Sequence, residues 1–91
     1  MKVLEVKYVK DYTISVKFDD GITGIVQLDD LVQKGIFQVL KNKQLFSKVY
    51  TNGYSIAWSD NLEIDIANIY SEITGKNFGE IVNPKFSYAT N

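Results

Sequence analysis

Three successive segments near the start of the chain place apolar residues at alternate positions, and this pattern constrains the fold most. Their apolar positions are Leu4, Val6 and Tyr8; Ile14, Val16 and Phe18; and Ile22, Val26 and Leu28. A period of two with β-branched and aromatic residues is typical of strands that bury one face. Lys10-Asp11 forms a short connection, and Asp20-Gly21 is a strong hairpin signal. The sequence therefore predicts an antiparallel meander of three strands.

A second group of strand patterns follows further along the chain. Asn52-Gly53 is the pair favoured in type I′ turns, and it joins residues 49–51 to residues 54–58. Residues 62–66 again alternate apolar with acidic side chains. Each of these segments has the period of a strand, so we expect up to three more strands.

Between the two groups, residues 29–46 change to a helical pattern. Asp29 or Asp30 can begin a short helix, because an aspartate side chain accepts hydrogen bonds from the first free amides of a helix. Gly35 interrupts the segment. The apolar positions that follow it, spaced as one helical face, are Ile36, Val39 and Leu40. We expect two short helical pieces here.

A third helix is predicted directly after the last strand pattern. Asp65 stands at the N-cap position, and Gly75 stands where a left-handed residue would end the helix. The apolar residues between them follow the helical spacing i, i+3, i+4, i+7, and they are Ile66, Ile69, Tyr70 and Ile73. This spacing predicts an amphipathic helix of two to three turns, or about ten residues.

These patterns predict a single α+β domain over residues 1–73, with an antiparallel sheet of five or six strands and two or three short helices packed on it. The predicted core comprises Val6, Ile14, Val16, Phe18, Val26, Leu28, Phe37, Leu40, Phe46, Ile56, Trp58, Ile64, Ile69 and Tyr70. Residues 74–91 have no clean period and are expected to form an extension or arm, in which residues 79–82 are compatible with an edge strand.

The absence of certain residue types excludes several chemistries. The 91-residue chain contains no histidine and no cysteine, and all ten of its basic residues are lysines. Without histidine and cysteine, the usual zinc, iron–sulfur, haem and copper sites cannot form, nor can Ser-His-Asp or Cys-His catalytic groups. Without arginine there is no bidentate group for phosphate or guanine. We therefore expect no enzyme, no cofactor and no metal.

Neither a membrane span nor a secretory signal is expected from the sequence. No apolar run approaches the ~18 residues that a spanning helix needs. The N-terminal residues are interrupted by Lys2, Glu5, Lys7 and Lys10, so they lack the apolar region of a signal peptide. The expected location is the cytoplasm, and no membrane partner is expected.

Two acidic pairs, Asp19-Asp20 and Asp29-Asp30, raise the question of a cation site. Aspartate oxygens suit Mg²⁺ or Ca²⁺. However, the segment between the pairs has a strand pattern of about ten residues, which would hold the pairs ~30 Å apart. The favoured interpretation is a hairpin turn at the first pair and a helix cap at the second.

A further acidic group consists of Asp60, Glu63 and Asp65. Glu63 and Asp65 would share one face of a strand about 7 Å apart, a separation compatible with an acid–base pair. A weak carboxylate-dependent enzyme is therefore one alternative. The other interpretation, which we favour, assigns Asp65 to helix capping and Asp60 to a turn.

Charge is unevenly distributed along the chain. Residues 34–50 contain four lysines and no acid, whereas residues 19–33 and 51–72 each contain four acids and no lysine. Separate basic and acidic patches suit recognition of a partner as well as plain solvation. A regulator associated with nucleic acid is a second alternative, disfavoured by the net charge of −1 and the lack of arginine.

We expect the chain to bind another protein or a second copy of itself, because it has few catalytic groups and many aromatic residues. The candidate partner-binding residues are Tyr54, Trp58, Lys41, Lys43 and Lys48. Exposed edge strands of a small sheet also invite strand addition by a partner segment. For Tyr54 and Trp58, packing in the core is the competing interpretation.

Several short motifs occur together with a regular spacing. They are Phe18-Asp19-Asp20-Gly21, Gly35-Ile36-Phe37-Gln38-Val39-Leu40, Phe46, Ile56-Ala57-Trp58, Glu63-Ile64-Asp65 and Ile69-Tyr70. In this respect residues 3–72 resemble the small bacterial family called Domain of Unknown Function 2442. The resemblance implies an α+β fold and a bacterial source, but no established activity.

The resemblance also bears on partners. Some relatives carry a helix-turn-helix domain after this module, and some are encoded beside another small uncharacterised protein. The second arrangement implies a pair of the toxin–antitoxin kind or another regulatory partner. We expect no helix-turn-helix in this chain, because too few residues follow the module.

Overall fold

The computed structural model describes residues 1–75 and contains two antiparallel sheets of three strands each. The first sheet has the order β1-β2-β3, formed by β1 (Val3–Lys10), β2 (Thr13–Phe18) and β3 (Thr23–Gln27). The second has the order β4-β5-β6, formed by β4 (Tyr50–Thr51), β5 (Ser55–Ser59) and β6 (Leu62–Asp65). The predicted α+β class is confirmed.

The three-strand meander at the start of the chain is also confirmed. Asp11 turns β1 into β2 with a positive φ of 49°, and Gly21 has a φ of 91° between β2 and β3. Around the second turn, the Phe18 N–H donates to the Ile22 carbonyl at 2.8 Å. The short polar turns thus fix the register of the strand pairing. In this register the apolar side of each strand faces the core.

One residue of the predicted pattern faces the other way. The pairing of β1 with β2 shifts between Val3 and Glu5, and this makes Leu4 the extra residue of a β-bulge. Leu4 is 58% exposed, while Val3 is buried in its place. A second shift makes Val9 an extra residue, and it is 45% exposed. The expectation that Leu4 shares a face with Val6 is wrong, because a bulge reverses the alternation.

The prediction of one sheet with five or six strands is also wrong. β4 has only two residues, and β1 approaches the second sheet through the Val3 N–H, which donates to the Gly53 carbonyl at 2.8 Å. The bulge at Leu4 bends β1 at this point. Strands that diverge after one bond do not form a continuous ladder, so the six strands divide into two sheets.

The turn between β4 and β5 differs from the predicted type I′ turn, which requires positive φ at both central residues. Gly53 has a φ of 98°, but Asn52 does not have a positive φ. Instead, the Asn52 side-chain oxygen accepts from the N–H groups of Tyr54 and Ser55, at 2.8 and 3.0 Å. This side-chain bonding lets a longer loop replace the two-residue turn.

The helical segment consists of two 3₁₀ helices, Leu31–Gln33 and Gly35–Lys41, followed by the short α1 (Lys43–Phe46). Asp30 precedes the first of them, as predicted, but its side chain makes no capping hydrogen bond. α1 is instead capped by the Asn42 side chain, which accepts from the amides of its first turn.

The C-terminal helix α2 (Ile66–Thr74) confirms the predicted capping. The Asp65 carboxylate accepts from the Ala67 N–H at 2.9 Å. Gly75 ends the helix with a φ of 73°, and its N–H donates to the Ser71 carbonyl at 2.8 Å. Within residues 1–75, no helix is long and apolar enough to cross a membrane.

The two sheets and the helices share one apolar core. Of the predicted core residues, those that are buried are Ile14, Val16, Phe18, Val26, Leu28, Leu40, Phe46, Ile56 and Ile69. Those that are partly buried and packed against the core are Val6, Phe37, Trp58, Ile64 and Tyr70. The prediction missed Val3, Val32 and Ile66, which are also buried. α2 extends to Thr74, just past the predicted domain boundary, and the proposed edge strand at residues 79–82 lies outside the described residues.

Candidate functional site

The β1–β2 turn holds the helical segment in place through its side chains. The Tyr12 hydroxyl donates to the Lys41 carbonyl at 2.6 Å. The Lys43 ammonium lies 3.0 Å from the Asp11 carboxylate and 5.7 Å from the centre of the Tyr12 ring. The hydrogen bond and charge of Asp11 raise the pKa of Lys43. Two of the candidate lysines therefore contact this turn, Lys41 through its backbone carbonyl and Lys43 through its side chain.

The outward side of the same segment is apolar. Ile36 and Val39 are 65% and 50% exposed, whereas Phe37 packs on the core and Leu40 is 1% exposed. The predicted single face of Ile36, Val39 and Leu40 is thus wrong. A 3₁₀ helix has three residues per turn, so positions three apart share a side. Ile36 and Val39 consequently form an outward pair.

The stretch of chain that carries this outward pair, residues 34–50, also carries four lysines and no acid. Lys34, Lys41, Lys43 and Lys48 are all exposed, and Leu45 in α1 is 38% exposed. We call the exposed set the basic–apolar surface, and its members are Lys34, Ile36, Val39, Lys41, Lys43, Leu45 and Lys48. Sequence reasoning identified its lysines from charge, but it placed Ile36 and Val39 on one helical face with Leu40, which is buried.

The two aromatic candidates have different surroundings. The Trp58 ring lies 5.5 Å from Phe46 and 6.5 Å from Phe37 between ring centres, and its Nε1–H donates to the Phe46 carbonyl at 2.9 Å. Trp58 is therefore half-buried beneath the helical segment. Tyr54 lies in the β4–β5 turn, 62% exposed, with the Lys2 ammonium 5.5 Å from its ring centre.

The first acidic pair takes part in local structure through Asp20. One Asp20 carboxylate oxygen accepts from the Ile22 N–H at 2.9 Å, and the other accepts from the Tyr70 hydroxyl at 2.8 Å. Asp20 thus ties the β2–β3 turn to α2. Within the part of the chain that the structure describes, no group of three or more acidic side chains is placed to hold a metal ion.

The residues of the second acidic group occupy a helix cap, a ladder position and a turn. Asp65 caps α2, while Glu63 lies opposite Ala57 in the β5–β6 ladder and is exposed. Asp60 lies in the turn that joins these two strands. The capping role predicted for Asp65 is confirmed.

The bond between Asp20 and Tyr70 predicts a stability that depends on pH. The Ile22 amide and then the Tyr70 hydroxyl lower the pKa of Asp20 from 3.8, and the Asp20 carboxylate raises the pKa of Tyr70 from 10.0. The Asp20 contribution is present above pH 3.8 and is lost as the pH falls through its lower folded-state pKa. The Tyr70 contribution is present below pH 10.0 and is lost as the pH rises through its higher folded-state pKa.

We therefore expect Asp20→Asn to be less stable than the original chain at neutral pH, with a difference that shrinks in strong acid. Urea unfolding at about pH 7 and about pH 3 measures this difference. Asp19→Asn is the matched control, because it removes a carboxylate from the same turn. A difference for Asp20→Asn that stays constant between the two pH values would contradict the assignment.

The comparison with known proteins identifies the family. Residues 3–75 match the family described as Protein of unknown function (DUF2442). No curated protein and no solved structure matches the chain. The matched region covers both sheets and all the described helices, and it agrees with the resemblance drawn from the motifs. On this evidence the chain belongs to the DUF2442 family of proteins of unknown function.

Proposed function

We propose that the chain is a non-catalytic protein-binding module whose basic–apolar surface docks an acidic and apolar segment of a partner protein. The observation that carries this proposal is the exposure of Ile36 and Val39, at 65% and 50%, on one side of a 3₁₀ helix. Apolar side chains that face water together mark interaction sites more often than isolated ones do.

The charge of the surface supports the choice of partner. Residues 34–50 contain four lysines and no acid, so an acidic segment is attracted while a basic one is repelled. Lys43 already pairs with Asp11, and this leaves Lys34, Lys41 and Lys48 as the cations offered to a partner. Exposed charges of this kind contribute more to association rate and specificity than to affinity.

The helical segment that carries the basic–apolar surface is also held in one conformation before binding. Tyr12 and Asp11 bond it to the first sheet, and the Gln38 side chain donates to the Gln33 carbonyl at 3.0 Å. A surface that is already ordered loses less conformational entropy when a partner docks. Trp58, half-buried behind the segment, contributes by supporting it, and Tyr54 extends the proposed contacts.

The proposal includes a biological setting. A cytoplasmic module of this kind suits one member of a regulatory pair, such as a toxin–antitoxin-like pair. The absence of histidine and cysteine supports a role without catalysis. The competing functions are a carboxylate-dependent enzyme, a nucleic-acid-associated regulator and a homodimer without another partner.

The proposal predicts that Ile36→Ser together with Val39→Ser abolishes recovery of the partner. The measurement is a pull-down of the tagged full-length chain from its own host, compared by quantitative mass spectrometry at low and high salt. Leu4→Ser with Val9→Ser is the matched control, because these apolar residues are similarly exposed but lie on β1. The control should recover the same partner as the original chain.

Other outcomes would contradict the proposal in different ways. Recovery of the same proteins by both double variants would exclude the basic–apolar surface. Recovery of DNA or RNA that falls steeply with salt would indicate a nucleic-acid binder. A stable dimer mass in light scattering with no other protein would indicate a homodimer. Turnover that is lost in folded Glu63→Gln and Asp65→Asn would indicate an enzyme.

A further inference from the structure

The outer edge of β3 presents backbone groups that pair with no residue in the described part of the chain. The Phe18 N–H bonds to the Ile22 carbonyl and the Leu28 N–H bonds to the Tyr12 carbonyl, so even-numbered residues of β3 face β2. The N–H and C=O groups of Thr23, Ile25 and Gln27 therefore point away from the sheet. β3 is the last strand of its sheet order, and no described residue pairs with this edge.

A groove of about 180 Å³ runs beside this edge. It lies between β3, the first 3₁₀ helix, β6 and α2, and its lining residues are Val26, Gln27, Leu28, Leu31, Ile64, Asn68, Ile69 and Glu72. Helix α2 touches the strand at Gly24, which meets Ile73, and further along the chain Val26, Gln27 and Leu28 line the groove. An edge strand next to a helix can hold an extended chain between them.

The one charged residue among the described residues that line the groove is acidic, Glu72. Every lining residue belongs either to residues 19–33 or to residues 51–72, the two stretches that contain acids and no lysine. Glu72 lies in the lining and forms no ion pair with a described residue. Asn68 and Gln27 add amide groups, so the described lining offers an apolar floor and hydrogen-bonding sides and includes no lysine.

We infer that the β3 edge and this groove bind an extended segment of another protein in which apolar and basic residues alternate. The segment pairs its backbone with Ile25 and Gln27 as an added strand. Its inward side chains, at every second position, enter the apolar groove, because a strand alternates its faces. A basic side chain lies near Glu72 at the rim. Strand addition gives affinity through the backbone, and the groove gives selectivity.

This site shares no residue with the basic–apolar surface, and the one charged residue of its described lining, Glu72, has the opposite charge. The first 3₁₀ helix ends at Gln33, and the basic–apolar surface begins at Lys34. The inference therefore does not rest on the proposed function. Two surfaces of opposite charge would let the module contact two different segments. The inference and the proposed function can therefore fail independently of each other.

Fluorescence anisotropy with synthetic peptides tests the inference on the full-length chain. The probe is a fluorescein-labelled, capped octapeptide of alternating valine and lysine. One control peptide has two adjacent central amides N-methylated, which blocks pairing on both of its edges. A second control replaces valine with glycine and so keeps the charge without the apolar side chains. We expect the probe to bind and both control peptides to lose binding.

Variants of the protein locate the contact. Glu72→Lys should weaken binding of the probe by about threefold to tenfold, the size expected when one exposed ion pair becomes a repulsion. Glu63→Lys is the matched control, because Glu63 is exposed but does not line the groove, and it should change binding by less than about twofold. Circular dichroism verifies that both variants are folded.

Three results would overturn the inference. They are the absence of probe binding by the full-length chain, equal binding of the N-methylated peptide, and equal weakening by Glu72→Lys and Glu63→Lys. The first would mean that the edge does not accept an added strand. The second would mean that the probe does not pair its backbone with the edge, and the third would mean that it binds through charge at no defined place.

Discussion

Replacing Trp58 by alanine is expected to lower the free energy of unfolding by about 3 kcal/mol, the lower end of the range for large aromatic core residues. The ring packs on Phe46 and Phe37, and its N–H bonds to the Phe46 carbonyl. The substitution removes these contacts and the shorter of the two hydrogen bonds that the Phe46 carbonyl accepts, the other coming from the Val49 N–H at 3.3 Å. Because Trp58 is only half-buried, the upper end of the range is not expected.

Urea unfolding followed by circular dichroism measures this loss, since Trp58 is the chain's one tryptophan and its fluorescence disappears in the variant. Tyr54→Ala is the matched control, because this aromatic residue is 62% exposed and its loss should change stability by less than about 0.5 kcal/mol. A loss below about 1 kcal/mol for Trp58→Ala would contradict its supporting role and would favour a direct role in partner binding.

Replacing Gly24 by alanine is expected to destabilise the protein, although its backbone conformation permits alanine. An added Cβ would lie 2.8 Å from the Ile73 Cγ1 atom and would also collide with Cγ2. Isoleucine is stiff at χ1, so α2 must shift, and overpacking of this kind costs about 1–3 kcal/mol. The entropic gain from replacing glycine is only about 0.4–1 kcal/mol, so the collision prevails.

A double-mutant cycle isolates this contact. In an Ile73→Ala background the added methyl group has space, and Gly24→Ala should then cost less than about 0.5 kcal/mol. Stability is measured by urea unfolding for all four chains. An equal cost of Gly24→Ala in both backgrounds would show that α2 does not cross β3 at this residue. The position of the groove beside β3 depends on that crossing.

The features predicted well from sequence are those determined by neighbouring residues. Asp65 caps α2 and Gly75 ends it, because capping needs only a side chain and amides within one turn. Asp20-Gly21 likewise forms a turn in the meander. The side of each strand that faces the core follows from the alternation of apolar and polar residues alone. All predicted core residues contact the core.

The features missed depend on geometry that a periodic pattern does not record. Leu4 fits the alternation of apolar and polar residues with Glu5, but a β-bulge turns its side chain away from the core. The bulge also helps divide the strands into two sheets. Ile36 and Val39 match an α-helical face, yet the backbone adopts 3₁₀ geometry and turns both residues outward. Tyr12 and Asp11 hold that segment from a turn far away in sequence.

The same distinction applies to the candidate site. Charge is visible in sequence, and it identified Lys41, Lys43 and Lys48. The apolar part of the basic–apolar surface became recognisable only through exposure. The sequence signal for 3₁₀ geometry was the spacing after Gly35. Ile36 and Val39 are three residues apart, and so are Phe37 and Leu40.

Methyl chemical shifts are the most direct test of the central claim, that the basic–apolar surface contacts a partner protein. The chain is labelled at isoleucine, leucine and valine methyl groups, and the partner recovered by pull-down is added in steps. The account predicts shift changes at Ile36 and Val39, while Leu4 and Val9 on β1 keep their free-state shifts. Changes at Leu4 and Val9 without changes at Ile36 and Val39 would contradict it.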